Sequence, residues 1–354
     1  MRKRRIKMAN QKRKLASVQR VGSIEAIPDA DRIESVGVLG WHCVASKGDF
    51  HEGDLCVYFE IDSFLPIRPE FEVLRINSYK NSPLLGEGFR IKTKTFRGTL
   101  SQGFLCRMDI LGDGDYKEGD DVTKILGVRE WEREESDTGD GTAIADLPAF
   151  LKQTTEYRIQ SYPEALSVLY GKPYYITNKF DGKSTTIARK DDVYRLFGHE
   201  VELRIETYKY KKVCEDIMAK LKKYDGIKNI AVEGELCGPG IQENRVGLKE
   251  VEFFAFRIMD IDKRRWLPFK EFIQICSMLG IKTVEIVEIG NSFPYTSVDE
   301  LIRMADGQYE CTGRRREGIV ICSQDMLSCD VFESRGERLS FKVISNKYLL
   351  KNEW

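Results

Sequence analysis

The sequence predicts an α+β protein built in two parts, a small β-barrel over residues 15–128 and a larger domain of antiparallel sheets with flanking helices over residues 147–354. Three observations carry that expectation. The first part reads as short strands broken by Gly-Asp turns, the middle is acidic and glycine-rich, and the last part alternates helical-period with strand-like segments.

In the first part, Val36-Gly37-Val38, Trp41-His42-Cys43-Val44-Ala45 and Leu55-Cys56-Val57-Tyr58-Phe59-Glu60-Ile61 are rich in β-formers. Lys47-Gly48-Asp49 and Glu52-Gly53-Asp54 punctuate them as turns. Phe89-Arg90-Ile91-Lys92-Thr93-Lys94 and Gln102-Gly103-Phe104-Leu105-Cys106-Arg107 also read as strands. Many short strands in so few residues favour a barrel of the OB type. Residues 129–146 follow as a linker, with Glu130, Glu132, Glu134, Glu135, Asp137 and Asp140 against Arg133. Beyond it, Val213, Ile217, Leu221 and Tyr224 share one face of a helix expected over 204–224, and a second helix is expected over 269–279. Strands are expected at 230–236, 252–258, 318–322 and 339–344.

Composition narrows the function. The 56 basic and 56 acidic side chains cancel, so any surface for nucleic acid must be local. Residues 1–14 are locally basic, with Arg2, Lys3, Arg4, Arg5, Lys7, Lys12, Arg13 and Lys14 and no acid. That tail reads as a solvated, disordered terminus (or an extension upstream of a start at Met8), a nuclear-import signal or a phosphate-binding arm. The 9 cysteines are scattered without a Cys-x-x-Cys, and only 3 histidines are present. A disulfide framework, a thiolate zinc site and a histidine-rich metal centre are therefore excluded. Without a signal peptide or a long apolar run, the chain reads as soluble and intracellular, with no membrane partner.

The chemistry-bearing signal begins at Lys179-Phe180-Asp181-Gly182, placed at the end of the β-rich run Tyr174-Tyr175-Ile176-Thr177. A lysine there can attack phosphorus, with a carboxylate two residues away and a glycine that lets a ligand approach the backbone. Next comes Gly234-Glu235-Leu236-Cys237-Gly238-Pro239-Gly240, where Glu235 sits on a strand that ends in a turn. In Phe253-Phe254-Ala255-Phe256, Phe254 reads as core, and Phe256 can offer its face to a purine. Glu317-Gly318-Ile319-Val320 adds another acid on a strand, and the preceding Arg314-Arg315-Arg316 reads as a solvated edge or an RNA-backbone contact. Lys342 lies in the last β-rich segment.

These five elements, in this order, resemble the covalent nucleotidyltransferase superfamily of DNA ligases, RNA ligases and mRNA-capping guanylyltransferases. The run from Gly234 to Gln242, followed by Phe254-Ala255-Phe256, is similar to the RNA ligases in particular. The barrel precedes the lysine motif, and the chain ends too soon after Lys342 for a second one. That order resembles the RNA ligase clade with an N-terminal OB module, as do Pro28-Asp29-Ala30-Asp31-Arg32-Ile33-Glu34 and Arg97-Gly98-Thr99-Leu100-Ser101-Gln102-Gly103. The last domain is then an ATP-grasp-like adenylyltransferase.

The resemblance implies an ATP-dependent RNA ligase with Lys179 as the nucleophile that becomes lysyl-AMP. It implies that Asp181, Glu235 and Glu317 hold Mg²⁺ or Mn²⁺. Asp181, Gly182, Arg158, Glu235, Phe256, Glu317 and Lys342 would bind the nucleotide. Lys92, Lys94 and Arg97 become contacts for pyrophosphate or RNA, or else exposed strand charges, and Lys347 a further contact. Partners would be RNA ends or a nicked duplex, met by a monomer engaged in RNA repair. The alternatives are a ligase for DNA or for mixed duplexes with a 3′-ribonucleotide, or a catalytically silent RNA-binding protein. Two positions depart from the pattern. Where relatives carry Ser-Arg-Asn this chain reads Phe197-Gly198-His199-Glu200, leaving Arg195 or Arg204 as substitutes, and Ile344 stands where many have a second lysine. An unperturbed lysine is neutral in only about one molecule in 2,500 at pH 7, so Lys179 needs nearby positive charge to lose its proton.

Overall fold

The computed structural model describes residues 13–131, 142–151, 156–327 and 339–352. Most of the basic tail and the centre of the acidic linker lie outside the described residues. The chain divides into two compact units. One comprises Met1–Glu134 with Gln160–Pro163 and Leu349–Trp354, and the other comprises Glu135–Ile159 and Glu164–Tyr348.

The first unit is a barrel of the OB type. Its five-stranded sheet runs in the order Phe104–Arg107, Leu55–Phe59, Ala16–Ala26, Ile33–Val38, Trp41–Ser46. The long Ala16–Ala26 strand serves two neighbours in turn. Ala16 to Arg20 pair with the 55–59 strand, Val21 to Ala26 pair with the 33–38 strand, and the register shifts between Val21 and Ser23. Such an irregularity bends and twists a strand, which lets one strand turn a sheet's corner. A four-stranded sheet contains Arg129–Glu130, Ser63–Leu65, Gly86–Arg90 and Tyr79–Ser82, and a hairpin pairs Lys94–Phe96 with Thr99–Ser101. Val18, Val57, Phe59, Phe64 and Phe89 are fully buried, and Phe59 packs edge-on against Phe71 at 5.3 Å.

The second unit stands on two sheets. A seven-stranded antiparallel sheet runs Ala143–Asp146, Val201–Leu203, Val193–Phe197, Lys183–Lys190, Ile230–Cys237, Glu252–Asp260, Arg265–Trp266. A five-stranded sheet runs Tyr157–Arg158, Ser340–Ile344, Gly318–Ser323, Tyr174–Lys179, Ile286–Gly290, and only its first pair is parallel. The helices Lys211–Lys222 and Phe269–Leu279 cover one face of the larger sheet. Cys214, Ile217, Leu221, Phe272 and Ile275 pack there with Ile187, Val232, Leu236 and Ile258. Tyr175 stacks on Phe269 at 4.1 Å.

The helix expected over 204–224 starts later, at Lys211. Residues 205–207 form a 3₁₀ turn instead, and Tyr208 is extended at ψ 125° so that its ring and that of Tyr210 enter the core. Burial of two aromatic rings outweighs the weak helical preference of that segment.

Arg189 closes the far end of the 211–222 helix. Its guanidinium donates to the carbonyl oxygens of Leu221 (2.5 Å), Tyr224 (2.8 Å), Ile227 (2.6 Å) and Lys228 (3.0 Å). A cation at a helix C-terminus also suits the helix dipole. Arg189→Met strands these acceptors, so the expected loss is about 2–4 kcal/mol of stability, measured as a denaturant midpoint shift with an unchanged slope.

Candidate active site

The five-stranded sheet brings the two most important side chains to neighbouring strand ends. Lys179 is the last residue of its strand, and its cross-strand partner is Gly318, the first residue of the next. Glu317 therefore sits at the mouth of the sheet, and Lys179 Nζ donates to its Oε2 at 2.8 Å. Gly318 has to be glycine, because a Cβ there would lie 2.2 Å from the Val343 carbonyl oxygen. One rung inward, Thr177 pairs with Val320, Val320 with Lys342, and Lys342 with Arg158. Residues directly opposite, and residues two apart along a strand, share a face of a sheet. Arg158, Lys342 and Lys179 thus share one face.

The Lys-x-Asp-Gly tetrapeptide spans from this sheet to the other. Gly182 leads into the Lys183–Lys190 strand, whose Ser184 pairs with Glu235, and Glu235 pairs with Phe254. The Gly182 N–H donates to the Glu235 carboxylate. A Cβ on Gly182 would lie 2.3 Å from the Leu236 carbonyl oxygen and 2.7 Å from Glu235 Cγ, so only glycine permits this approach. Asp181 is braced by Arg245 Nε at 3.2 Å and by the Tyr348 hydroxyl, and the Arg245 guanidinium lies 5.1 Å above the Tyr348 ring.

The Lys179 ammonium thus faces Glu317, Glu235 and Asp181. Burial works to lower its pKa, but the fields of Glu317 and Glu235, the hydrogen bond to Glu317 and the field of Asp181 hold it above the ordinary lysine value. Burial pushes Glu235 up to about 8, with Glu317 and Asp181 adding to the rise and Lys179 opposing it. Asp181 is raised by burial and by Glu317, with Lys179, Tyr348 and Arg245 opposing. These carboxylates are short of positive charge and present hard oxygen donors, which fits a divalent cation of the Mg²⁺ or Mn²⁺ kind. Among the described residues no three acidic, histidine or cysteine side chains form a ready-made metal cage.

Glu233 lies two residues before Glu235 on the same strand face, and the pairing slips by one residue there. Glu235 faces Phe254 while Glu233 faces Arg257, leaving Phe256 as the extra residue of a bulge. Phe254 is buried against Phe180 at 5.1 Å, as its core assignment requires, and Phe256 is half-buried. Arg257 joins Glu156 and Glu233, the latter at 3.6 Å. Burial opposes ionisation of Glu156, but Arg257, Lys342 and Lys179 hold its carboxyl below the usual range.

Sequence reasoning assigns no role to Glu156, Arg245, Arg257, Tyr309 or Tyr348. Glu156 stands two residues before Arg158, Arg257 one residue beyond the aromatic strand motif and Tyr348 next to Lys347, while Arg245 and Tyr309 carry no local signal. The arginine run is corrected in part. Arg314 is exposed, but Arg316 is buried, with Nη1 donating to Asn178 Oδ1 at 2.7 Å, so it is no solvated edge. Lys347 Nζ pairs with Asp306 at 3.6 Å. Of the two substitute arginines, Arg195 pairs with Ala188 and so shares the sheet face of Glu233 and Glu235, whereas Arg204 is exposed beside a 3₁₀ turn. Lys92, Lys94 and Arg97 belong to the barrel unit. Lys94 Nζ donates to Asn77 O (2.7 Å) and Ser78 Oγ (2.8 Å), and burial and Lys92 lower its pKa. Arg97 occupies a hairpin turn at φ +50°.

An OB-fold domain model matches residues 15–108, and an RNA ligase model matches residues 172–344. No curated protein matches the chain. Among solved structures, a Naegleria gruberi RNA ligase with pyrophosphate is 33% identical, with TM-score 0.85 over 96% of this chain and 99% of that one. A glutamate-to-alanine mutant of the Naegleria gruberi enzyme with AMP and Mn is 33% identical, with TM-score 0.86 over 96% and 99%. Another glutamate-to-alanine mutant, with ATP and Mn, is 33% identical, with TM-score 0.85 over 97% and 100%. The chain belongs to the RNA ligase family. No helix among the described residues is long and apolar enough to cross a membrane.

Proposed function

We propose that this RNA ligase is ATP-dependent and joins RNA 3′-OH and 5′-phosphate ends through a lysyl-AMP intermediate on Lys179. The observation that carries the reading is the Lys179 ammonium at 2.8 Å from Glu317, in a pocket completed by Asp181 and Glu235. In the first step, the lone pair of deprotonated Lys179 Nζ attacks the α-phosphorus of ATP. The bond to the bridging oxygen breaks, and pyrophosphate leaves. In the second, an oxygen of the RNA 5′-phosphate attacks the same phosphorus, the P–N bond breaks, and Lys179 recovers a proton. In the third, the 3′-hydroxyl loses its proton, attacks the 5′-phosphorus and expels AMP.

Every step is a displacement at phosphorus, so the protein's work is positioning and charge stabilisation. Asp181, Glu235 and Glu317 would hold Mg²⁺ or Mn²⁺, directly or through water, and when bound the cation supplies positive charge beside the phosphates. Phe256 stacks on adenine, Lys342 reaches the α-phosphate, and Arg158, Asp181, Gly182, Glu235 and Glu317 complete the nucleotide site. Arg195 takes the role of the arginine that relatives carry in Ser-Arg-Asn. Lys92, Lys94 and Arg97 meet polyphosphate or RNA backbone. The protein acts as a monomer in repair, resealing broken RNA. The barrel domain at 15–128, the linker at 129–146 and the catalytic domain at 147–354 form its working division.

The test is labelling with ATP or GTP radioactive at the α-phosphate, followed by ligation of 5′-phosphorylated RNA, DNA and nicked duplexes with deoxy- or ribonucleotide 3′ ends. The expected result is an acid-stable adduct with ATP that needs a divalent cation, and sealing of RNA. Absence of the adduct sinks the reading and leaves a silent RNA-binding protein. Equal or better sealing of DNA or mixed nicks replaces the substrate.

A further inference from the structure

The two strand ends that carry Lys179 and Glu317 are tied together from three directions, and only one of the ties is the ion pair itself. The hydroxyl of Tyr309, a fully buried residue, donates to the Lys179 carbonyl oxygen at 2.8 Å and accepts the Glu317 N–H at 3.3 Å. One phenol thus bridges the main chain of both residues. Its ring packs edge-on against Phe180 at 5.5 Å, between the lysine and Asp181 in sequence. The ring is set by its own backbone, since Tyr309 N–H donates to Arg314 O at 2.9 Å and Gly313 N–H donates to Tyr309 O at 2.8 Å.

The third tie lies on the opposite side of the strands. Asn178 precedes Lys179 in its strand and so points to the opposite face, and Arg316, in the segment that leads into the Gly318–Ser323 strand, meets it there, behind Lys179. Arg316 Nη1 donates to Asn178 Oδ1 at 2.7 Å and Nη2 donates to the Met304 carbonyl oxygen. Asn178 in turn donates its side-chain amide to Glu285 and its N–H to the Glu285 carbonyl oxygen. The guanidinium is seated against Gly307, where a Cβ would come within 2.4 Å of Nη2.

We propose that Tyr309 and Arg316 are positioning residues for adenylyl transfer, holding the Lys179 nucleophile in register with Glu317 from the edge and from behind. This rests on Lys179 being the nucleophile. Neither residue contributes a group to the reacting atoms. They act through the backbone and strand pairing of the residues that do, and a displacement of about 1 Å in such a site costs on the order of 10²-fold in rate.

The full chain carrying Tyr309→Phe or Arg316→Lys tests this. Tyr309→Phe removes one oxygen, and Arg316→Lys keeps the charge but loses the fork. The expected result for Tyr309→Phe is a roughly 10- to 100-fold fall in the rate of lysyl-AMP formation at saturating ATP, with KM for ATP changed by less than about twofold. Arg316→Lys gives the same split with a smaller fall. Sealing of RNA supplied already adenylylated, which needs no lysine nucleophile, stays within about threefold of wild type for both. Wild-type labelling rates in both variants overturn the proposal. So does a uniform loss in every step together with a lowered melting temperature, which marks a structural role only. Lys179→Ala is run alongside. If it still labels, the nucleophile assignment itself has failed, and that outcome is distinct from failure of the positioning role of Tyr309 and Arg316.

Discussion

Lys179→Ala is expected to lose lysyl-AMP formation by a factor on the order of 10⁴ or more, while still sealing RNA whose 5′ end is already adenylylated. The loss is that large because, among the described residues, no other amine is placed to replace it. Lys342 shares the face of Lys179 but stands two strands away and one rung inward. Two strand spacings and a two-residue step put its backbone about 12 Å from that of Lys179, which leaves its amine a different approach to the phosphate. Lys179→Arg should be equally inactive despite keeping the charge, because a guanidinium cannot be deprotonated at working pH. Retained sealing of adenylylated RNA separates a missing nucleophile from a collapsed fold, since Asp181, Glu235 and Glu317 stay in place. Labelled ATP and denaturing gels measure the first activity, and joining of adenylylated RNA measures the second. Labelling of the alanine variant within about tenfold of wild type moves the nucleophile elsewhere.

The parts of this site that were legible in the sequence are those written in short, local patterns. Lys179, Asp181 and Gly182 must be adjacent because one tetrapeptide crosses from one sheet to the other. Glu235 had to stand on a strand before a Gly-Pro-Gly turn because Gly182 approaches it closely. Phe254 and Phe256 have the same parity along the strand, so alternation alone does not separate buried Phe254 from half-buried Phe256, and the bulge that offsets Phe256 leaves no local trace. What stayed hidden is contact between residues far apart in the chain. Arg245 meets Asp181 from 64 residues away, and Tyr309 meets Lys179 from 130 residues away. A tyrosine or arginine in a loop has no periodicity, so nothing local distinguishes a brace from an exposed side chain. Arg316 makes the point sharply. Three arginines in a row look solvated, yet the bend before Gly318 and the seat on Gly307 turn the last one inward. The barrel shows the same division. Its short strands and turns were readable, while the bend that lets Ala16–Ala26 pair with two partners appears only in the register.

Glu317→Gln is the second large effect, and its direction is a contest between two consequences of losing one charge. Adenylylation needs neutral lysine, and Lys179 is held above its ordinary pKa, so the wild-type rate should climb as pH rises through neutrality. Removing the Glu317 charge takes away the leading electrostatic support of the ammonium. Each unit of lowered pKa then enriches neutral lysine about tenfold below the pKa. Part of that gain is returned at once. Glu317 is one of the charges that raises Glu235, so without it Glu235 falls below about 8 and is more fully ionised beside the lysine. On the other side, a glutamine offers a neutral oxygen where the proposed cation site needs charge, and polarisation of a phosphoryl oxygen by a bound cation is worth several kcal/mol. Several kcal/mol exceeds the part of the tenfold that survives compensation. The expected result at saturating ATP and metal is therefore a net fall of roughly 10²-fold at each pH along the rising limb. Rates of lysyl-AMP formation between pH 6 and 9 read that ratio in one series. A glutamine variant that equals or exceeds the wild-type rate across that range would reduce Glu317 to a modulator of the lysine proton. In that case the metal-holding role passes to Asp181 and Glu235 alone.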